Sequence, residues 1–229
     1  MIQVAQTPSP NFNDRKHPVD MLVLHYTGME SGDAALEKMR SEDGGVSAHY
    51  MVWETGKTVQ LVGEDKRAWH AGVATWQGDD DLNSRSIGIE IVNGGHDWLD
   101  ADGNLPAYPP AQIEAVTELC KAIVDRWDIP QTRIVGHSDI APARKKDPGE
   151  HFPWKDLTSR GIGLWPGPLK DLEGATEPAL KTIGYDTRDL PAAIAAFQRR
   201  WRPERVDGFD DADTRAVALA VAQLYSAAS

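Results

Sequence analysis

The sequence predicts an α/β or mixed α+β domain followed by a compact all-helical unit. Three observations carry this reading. Up to about residue 168, apolar runs of strand length alternate with helical periodicities. Beyond Pro168 the strand-like runs stop and only helical patterns remain. With 229 residues, 41% of them apolar, the chain is long enough to bury a core and form one or two domains.

Each element has a local reason. Residues 7–11, Thr7-Pro8-Ser9-Pro10-Asn11, are punctuated by proline and read as an extended surface segment. Residues 19–24 form a short apolar run that ends at His25, the signature of a buried strand. Residues 33–40 read as a short helix, with Leu36 and Met39 one helical step apart. Strands follow at 49–54 and 58–62 around a turn at Gly56, and at 86–92, where Glu90 sits inside a nearly continuous apolar run. The clearest helix is 110–127: Ile113, Val116, Leu119, Ile123 and Trp127 recur every three or four residues behind Pro109-Pro110. Cys120 lies beside that apolar face and reads as a buried, inert thiol. Residues 133–136 make a last strand ending at His137. Helices are then expected near 175–183, at 192–201 and at 213–227, the last capped by Asp211 or Asp213. The division is thus 1–168 and 169–229. A helical unit of that size is marginal alone and is expected to dock on the larger domain.

Composition excludes several functions. Lys plus Arg number 24 against 35 Asp plus Glu, a net charge of −11. No basic stripe is present to hold a nucleic acid. One cysteine rules out an internal disulfide and any multi-cysteine metal cluster. No stretch approaches the roughly 18 apolar residues of a membrane span. Residues 1–20 lack a basic segment followed by an apolar run, so the cytoplasm is expected, with the periplasm as the alternative if a leader precedes this chain.

His25, Glu90 and His137 all end or interrupt apolar strands. Singly, a histidine at a strand end reads first as a satisfied structural residue. An ionisable group buried there must find a partner or face a cleft. With the loop 139–149, they suggest a site. Two imidazoles and one carboxylate make a common catalytic zinc set that leaves a fourth position open. No His-Glu-x-x-His helix occurs, so the usual zincin arrangement is excluded.

Six ordered strings take the reading further: Leu24-His25-Tyr26-Thr27, Ser47-Ala48-His49-Tyr50, Trp69-His70-Ala71-Gly72, Ser86-Ile87-Gly88-Ile89-Glu90, Gly136-His137-Ser138-Asp139-Ile140-Ala141-Pro142 and Arg144-Lys145-Lys146-Asp147-Pro148-Gly149. They resemble the zinc-dependent N-acetylmuramoyl-L-alanine amidases of the AmpD/AmiD type, within the peptidoglycan recognition protein superfamily. The resemblance covers residues 1–168. The tail, through Gly184-Tyr185-Asp186, residues 196–203 and Asp211-Ala212-Asp213-Thr214, resembles a peptidoglycan-binding-like helical module. The fold implied is a mixed central β-sheet flanked by helices, followed by that small all-helical domain.

The resemblance assigns one Zn2+ per chain to His25, His137 and Asp147. It gives Glu90 the general-base role and Lys145 the stabilisation of the oxyanion. His70, Tyr26, Asn83, Arg85 and Trp76 are the expected substrate contacts, Trp76 by stacking on a sugar and Arg85 or Arg67 by holding stem-peptide carboxylates. Where some relatives carry a catalytic tyrosine before the motif histidine, this chain has Ala48, so that role does not transfer and His49 reads as structural. His17, His96 and His151 read as surface or packing residues. The implied reaction is hydrolysis of the lactyl–L-alanine amide in muropeptides, including 1,6-anhydro forms, with intact murein a further partner through the tail. Two other readings stand beside it: a peptidoglycan-binding protein without catalysis, and a chain whose helical tail is its main functional part. The full set His25, His137, Asp147, Glu90 and Lys145 favours the enzyme.

Overall fold

The computed structural model describes residues 3–167 and 172–228, so the expected boundary at 168–169 lies outside the described residues. In chain order the elements are β1 (Val4–Gln6), β2 (Phe12–Asp14), β3 (Met21–Tyr26), α1 (Gly32–Arg40), β4 (Tyr50–Val52), β5 (Thr58–Gln60), β6 (Lys66–Ala68), α2 (Leu82–Arg85) and β7 (Ser86–Ile91). They continue with α3 (Pro110–Trp127), β8 (Ile134–Gly136), α4 (His137–Ile140), α5 (Trp154–Ser159), α6 (Thr176–Ile183), α7 (Leu190–Trp201) and α8 (Ala212–Ala227). A six-stranded sheet runs in the order β1-β5-β4-β7-β3-β8, with every pair parallel except β4 with β5. A small ribbon pairs β2 with β6 antiparallel.

The run Met21-Leu22-Val23-Leu24 is continuously apolar because β3 is covered on both faces. Leu22 and Leu24 pack with Ile87, Ile89, Ile91 and Ile134 against Ile113, Val116, Leu119, Cys120 and Ile123 of α3. Each such side chain removed from water contributes about 1.5–3 kcal/mol. Met21 and Val23 face the other way, into a core shared with Val135, Ile140, Trp76 and the buried sides of α6, α7 and α8. The three C-terminal helices and one face of the sheet therefore form a continuous apolar cluster. Asp211, not Asp213, caps α8 by accepting from Thr214 N, and Asp189 caps α7 through Ala192 N. Cys120 is buried, and burial pushes its thiol up to about 12.

Two expectations change. The N-terminal segment does more than lie over the surface: β1 adds a parallel edge strand beside β5, and Ser9 and Asn11 are buried, with Asn11 Nδ2 donating to Ser41 O and Val46 O. Trp76 is fully buried, its ring set edge-on to Tyr185 and its Nε1–H donated to Thr132 O at 3.3 Å. The helical tail covers it, so it cannot stack on a sugar.

Truncating that indole leaves a cavity where the sheet meets the helices. Trp76→Ala is expected to destabilise the protein by about 3–5 kcal/mol in denaturant titration. A change below about 1 kcal/mol would mean the indole is not a core residue.

Candidate metal centre and active-site cleft

The site lies at the carboxyl ends of three adjacent parallel strands, the usual place for a ligand in an open α/β sheet. Register puts it there. His25 on β3 is paired with Glu90 on β7, and Leu24 is paired with Gly136 on β8, so His137 follows directly beside His25. Asp147 arrives from the loop after α4. That loop folds back because Ser138 N donates to Asp147 O at 2.8 Å and Lys145 N to Ala141 O at 2.9 Å.

His25 Nδ1 and His137 Nδ1 are 2.9 Å apart, and each is 3.0 Å from Asp147 Oδ2. All three residues are buried. The protons can be traced from their surroundings. Leu82 O only accepts, so the Ser86 hydroxyl donates to it at 2.5 Å. Ser86 Oγ must then accept from His70 Nε2–H at 3.2 Å, and His70 Nδ1, 3.0 Å from His25 Nε2, accepts from that nitrogen. On the other side His137 Nε2–H donates to Ala71 O at 3.0 Å. Both rings have thus placed their hydrogens outward, leaving the two Nδ1 lone pairs aimed at each other and at a carboxylate oxygen.

Burial and the neighbouring His137 press His25 down to about 4, and burial holds His70 well below its usual range. For Asp147 burial acts upward, yet the two histidines overcome it and keep the carboxylate well below its usual range. Two neutral imidazoles and an anion converging this closely fit a divalent cation, with the outward hydrogen bonds fixing each ring as second-sphere partners do. These residues form a candidate metal site.

A cleft of about 430 Å³ opens over the cluster, lined among others by Tyr26, Lys38, His70, Glu90, Lys145 and Asp147. Glu90 Oε2 is buried there without a hydrogen-bond partner among the described residues. Burial, reinforced by the Asp147 charge, raises its carboxyl to about 8, against the pull of Lys145 and Lys38. Tyr26 OH lies 3.0 Å from His96 Nδ1, and His96 Nε2 lies 3.2 Å from Glu150 Oε2. Burial pushes the Tyr26 hydroxyl up to about 12. Burial acts upward on Glu150 as well, but the His96 hydrogen bond and the Arg199 charge bring it down to about 2.

β7 explains how the sheet supplies this chemistry. Its apparently apolar run alternates: Ile87, Ile89 and Ile91 enter the core, while Ser86, Gly88 and Glu90 face the histidines. Gly88 is needed because a Cβ there would stand 2.6 Å from the His70 ring. Its N–H also donates to His49 Nδ1 at 2.9 Å. His49, wholly buried, is structural, and burial presses it down to about 3.

Of the residues singled out on the sequence, His25, His137, Asp147, Glu90, Lys145, Tyr26 and His70 come together around this cleft. Three expected contacts do not. Trp76 lies under the helical tail. Asn83 is buried, its Oδ1 accepting from His70 N and Ala71 N, so it shapes the His70 loop. Arg85 is paired with Asp20 and Asp79 outside the cleft, and Arg67 is likewise taken by Asp81. The cations that line the cleft are Lys38, Arg144, Lys145 and Lys146. Sequence reasoning missed Ser86 and His96. The alternation of β7 was the available signal for Ser86; nothing local marked His96.

The family profile Amidase_2, described as N-acetylmuramoyl-L-alanine amidase, matches residues 15–150. The chain is 37% identical over 235 residues to N-acetylmuramoyl-L-alanine amidase AmiD of Escherichia coli (strain K12), across 90% of this chain and 83% of that one. It is 42% identical over 179 residues to 1,6-anhydro-N-acetylmuramyl-L-alanine amidase AmpD of Citrobacter freundii, across 67% and 88%. Among solved structures, the complex of AmiD from Escherichia coli with the substrate anhydro-N-acetylmuramic acid-L-Ala-D-gamma-Glu-L-Lys superposes with a TM-score of 0.79 at 34% identity, covering 93% of each chain.

The buried neutral histidines set the acid response. His49 near 3 and His151 near 4 stay unprotonated in the fold, whereas both take up protons near 6.5 once unfolded. The unfolded state then binds more protons, so the contribution of these two groups is full above about pH 6.5 and is lost progressively down to about pH 3. The expected result is a Tm that falls as the pH drops through this window. A Tm independent of pH from 7 to 4 would contradict the buried neutral state.

Proposed function

The chain belongs to the Amidase_2 family of N-acetylmuramoyl-L-alanine amidases, and from that premise we propose how its own residues carry the reaction. It hydrolyses the amide between the lactyl group of N-acetylmuramic acid and L-alanine in peptidoglycan fragments, in cell-wall recycling. The observation that carries the residue assignment is the convergence of His25 Nδ1, His137 Nδ1 and Asp147 Oδ2 beneath a cleft that Glu90 enters with a free carboxylate oxygen.

The metal is zinc in this reading, one ion per chain. Two nitrogens and one oxygen suit it and leave a position open, as in catalytic zinc sites. Bound there, the ion supplies Lewis acidity, polarising the scissile carbonyl and lowering the pKa of water to about 7. Glu90 receives the proton of the attacking water. The hydroxyl adds to the lactyl carbonyl carbon, and Glu90 returns the proton to the alanine nitrogen as the C–N bond breaks. The products are a lactyl carboxylate and a free stem peptide. A pKa raised by burial suits a group that must both take and give a proton.

Lys145 lines the same cleft, and its Nζ has no hydrogen bond or ion pair among the described residues. It is free to stabilise the negative charge that develops on the carbonyl oxygen. The Tyr26 hydroxyl, donated to His96 Nδ1, lines the cleft, where its oxygen can accept from a substrate N–H group. His70 acts through His25 and not on the substrate. For the stem-peptide carboxylates we assign Lys38, Arg144 and Lys146 in place of the arginines first expected.

Residues 169–229 are proposed as a peptidoglycan-binding-like helical domain with a second affinity, for intact murein. The relatives' anhydromuramyl substrates point to soluble turnover fragments, and we place the enzyme with them in the cytoplasm. No helix among the described residues is long and apolar enough to cross a membrane. Recovery of the protein solely in the cell envelope would overturn that placement.

The test supplies an anhydromuropeptide and intact sacculi to the purified chain, with zinc and after chelation, and identifies products by mass. Stem peptide beginning at L-alanine is expected, and chelation should abolish its release. Glu90→Gln should lower kcat by about 10²–10⁴-fold with zinc still bound. Lys145→Met should lower it by about 10²-fold. Zinc-independent release, or a Glu90→Gln enzyme with full kcat, would sink the assignment.

A further inference from the structure

Helix α7 carries in its last turn two adjacent arginines that are both buried, Arg199 at 8% and Arg200 at 3% exposure. Successive residues on a helix point about 100° apart, so the two guanidinium groups reach different places. Arg200 Nη1 donates to Asp139 Oδ2 at 2.8 Å, with its guanidinium 4.1 Å from the Trp154 ring and 4.6 Å from the Trp201 ring. The same Asp139 Oδ2 accepts from Gly136 N at 2.8 Å, and its Oδ1 from Tyr185 OH at 2.6 Å. Gly136 and Asp139 flank His137.

Arg199 Nε lies 3.4 Å from Glu150 Oε2, three residues beyond Asp147. Glu150 holds His96, and His96 holds Tyr26, the residue after His25. Two neighbouring side chains of the C-terminal helices thus reach the segment after His137 and the turn after Asp147, and Glu150 and His96 extend the second contact to Tyr26.

Docking alone does not need this arrangement. A buried ion pair contributes little net stability beside a well-packed apolar pair of the same volume. Both arginines are also incompletely satisfied: Arg199 Nε, Arg200 Nε and Arg200 Nη2 have no hydrogen-bond partner among the described residues. What the pair of arginines does supply is placement: Arg200 ties the segment after His137 by a hydrogen bond to Asp139, and Arg199 sets its charge beside Glu150 in the turn after Asp147. By contrast Arg202, two residues further on, pairs with Asp211 and Asp213 inside the helical segment itself.

We propose that Arg199 and Arg200 are positioning residues of the metal centre, through which the C-terminal helices hold the His137 and Asp147 loops in ligating register. This deepens the assignment above and rests on its metal site. The tail is then part of the catalytic apparatus, whatever else it binds.

The experiment measures zinc affinity of the full chain by competition with a chromophoric chelator, beside Tm and the kcat and KM for an anhydromuropeptide. Arg200→Met and Arg199→Gln should each weaken zinc binding about tenfold, the range seen when outer partners of metal ligands are removed. kcat should fall with KM little changed, and Arg200→Lys should recover part of the loss. Arg202→Met should lower Tm while leaving zinc affinity as in the wild type. If Arg200→Met does not fold, Arg199→Gln decides the matter.

A folded Arg199→Gln protein with unchanged zinc affinity and kcat would overturn the proposal. So would an Arg202→Met protein that loses zinc as strongly, since general loosening would then suffice. A wild-type chain that binds no zinc removes the metal assignment itself, an outcome visible before any variant is made.

Discussion

Two imidazole nitrogens and a carboxylate oxygen held within 3.0 Å of one another repel unless a positive charge lies among them. Much of this structure is organised to bring those lone pairs together and keep protons away from them. The parallel register of β7, β3 and β8 delivers Glu90, His25 and His137 to one edge. Ala71 O takes the outward hydrogen of His137, and the series His70, Ser86 and Leu82 O takes that of His25. A ring whose far nitrogen already donates turns its near nitrogen inward as an acceptor, so these outward bonds select the tautomer that a metal ion would need.

The same constraint gives β7 its composition. One face needs bulk, and three isoleucines provide it against α3. The other face needs a hydroxyl at Ser86, bare space at Gly88 for the His70 ring, and an acid at Glu90. A single strand of six residues therefore carries part of the core, the support of a ligand and the proposed base. It can do so because side chains alternate across a sheet.

On the opposite side of the molecule, helices α6, α7 and α8 cover Met21, Val23 and Trp76, the sheet face that α3 leaves open. Their apolar contact with the sheet and their arginine contacts with the ligand loops are separate in kind. The first is non-directional and tolerates repacking. The second is directional at Asp139, where Arg200 donates a hydrogen bond, and electrostatic at Glu150, where Arg199 sets its charge.

The sequence by itself determined the alternation of strands and helices, the long helix 110–127, and the candidate positions His25, Glu90, His137, Lys145 and Asp147 that the fold brings to one cleft. Periodicity and short motifs are local, and they survive being read along a line. Tertiary structure decided the rest. Trp76 could not be assigned to core or cleft without knowing that the tail covers it, and Arg85 could not be taken from the substrate without finding Asp20 and Asp79 beside it. His70 bonds His25 across 45 residues of chain, and Arg200 bonds Asp139 across 61. Where a side chain points, and which partner takes its hydrogen, depend on segments that only folding brings together.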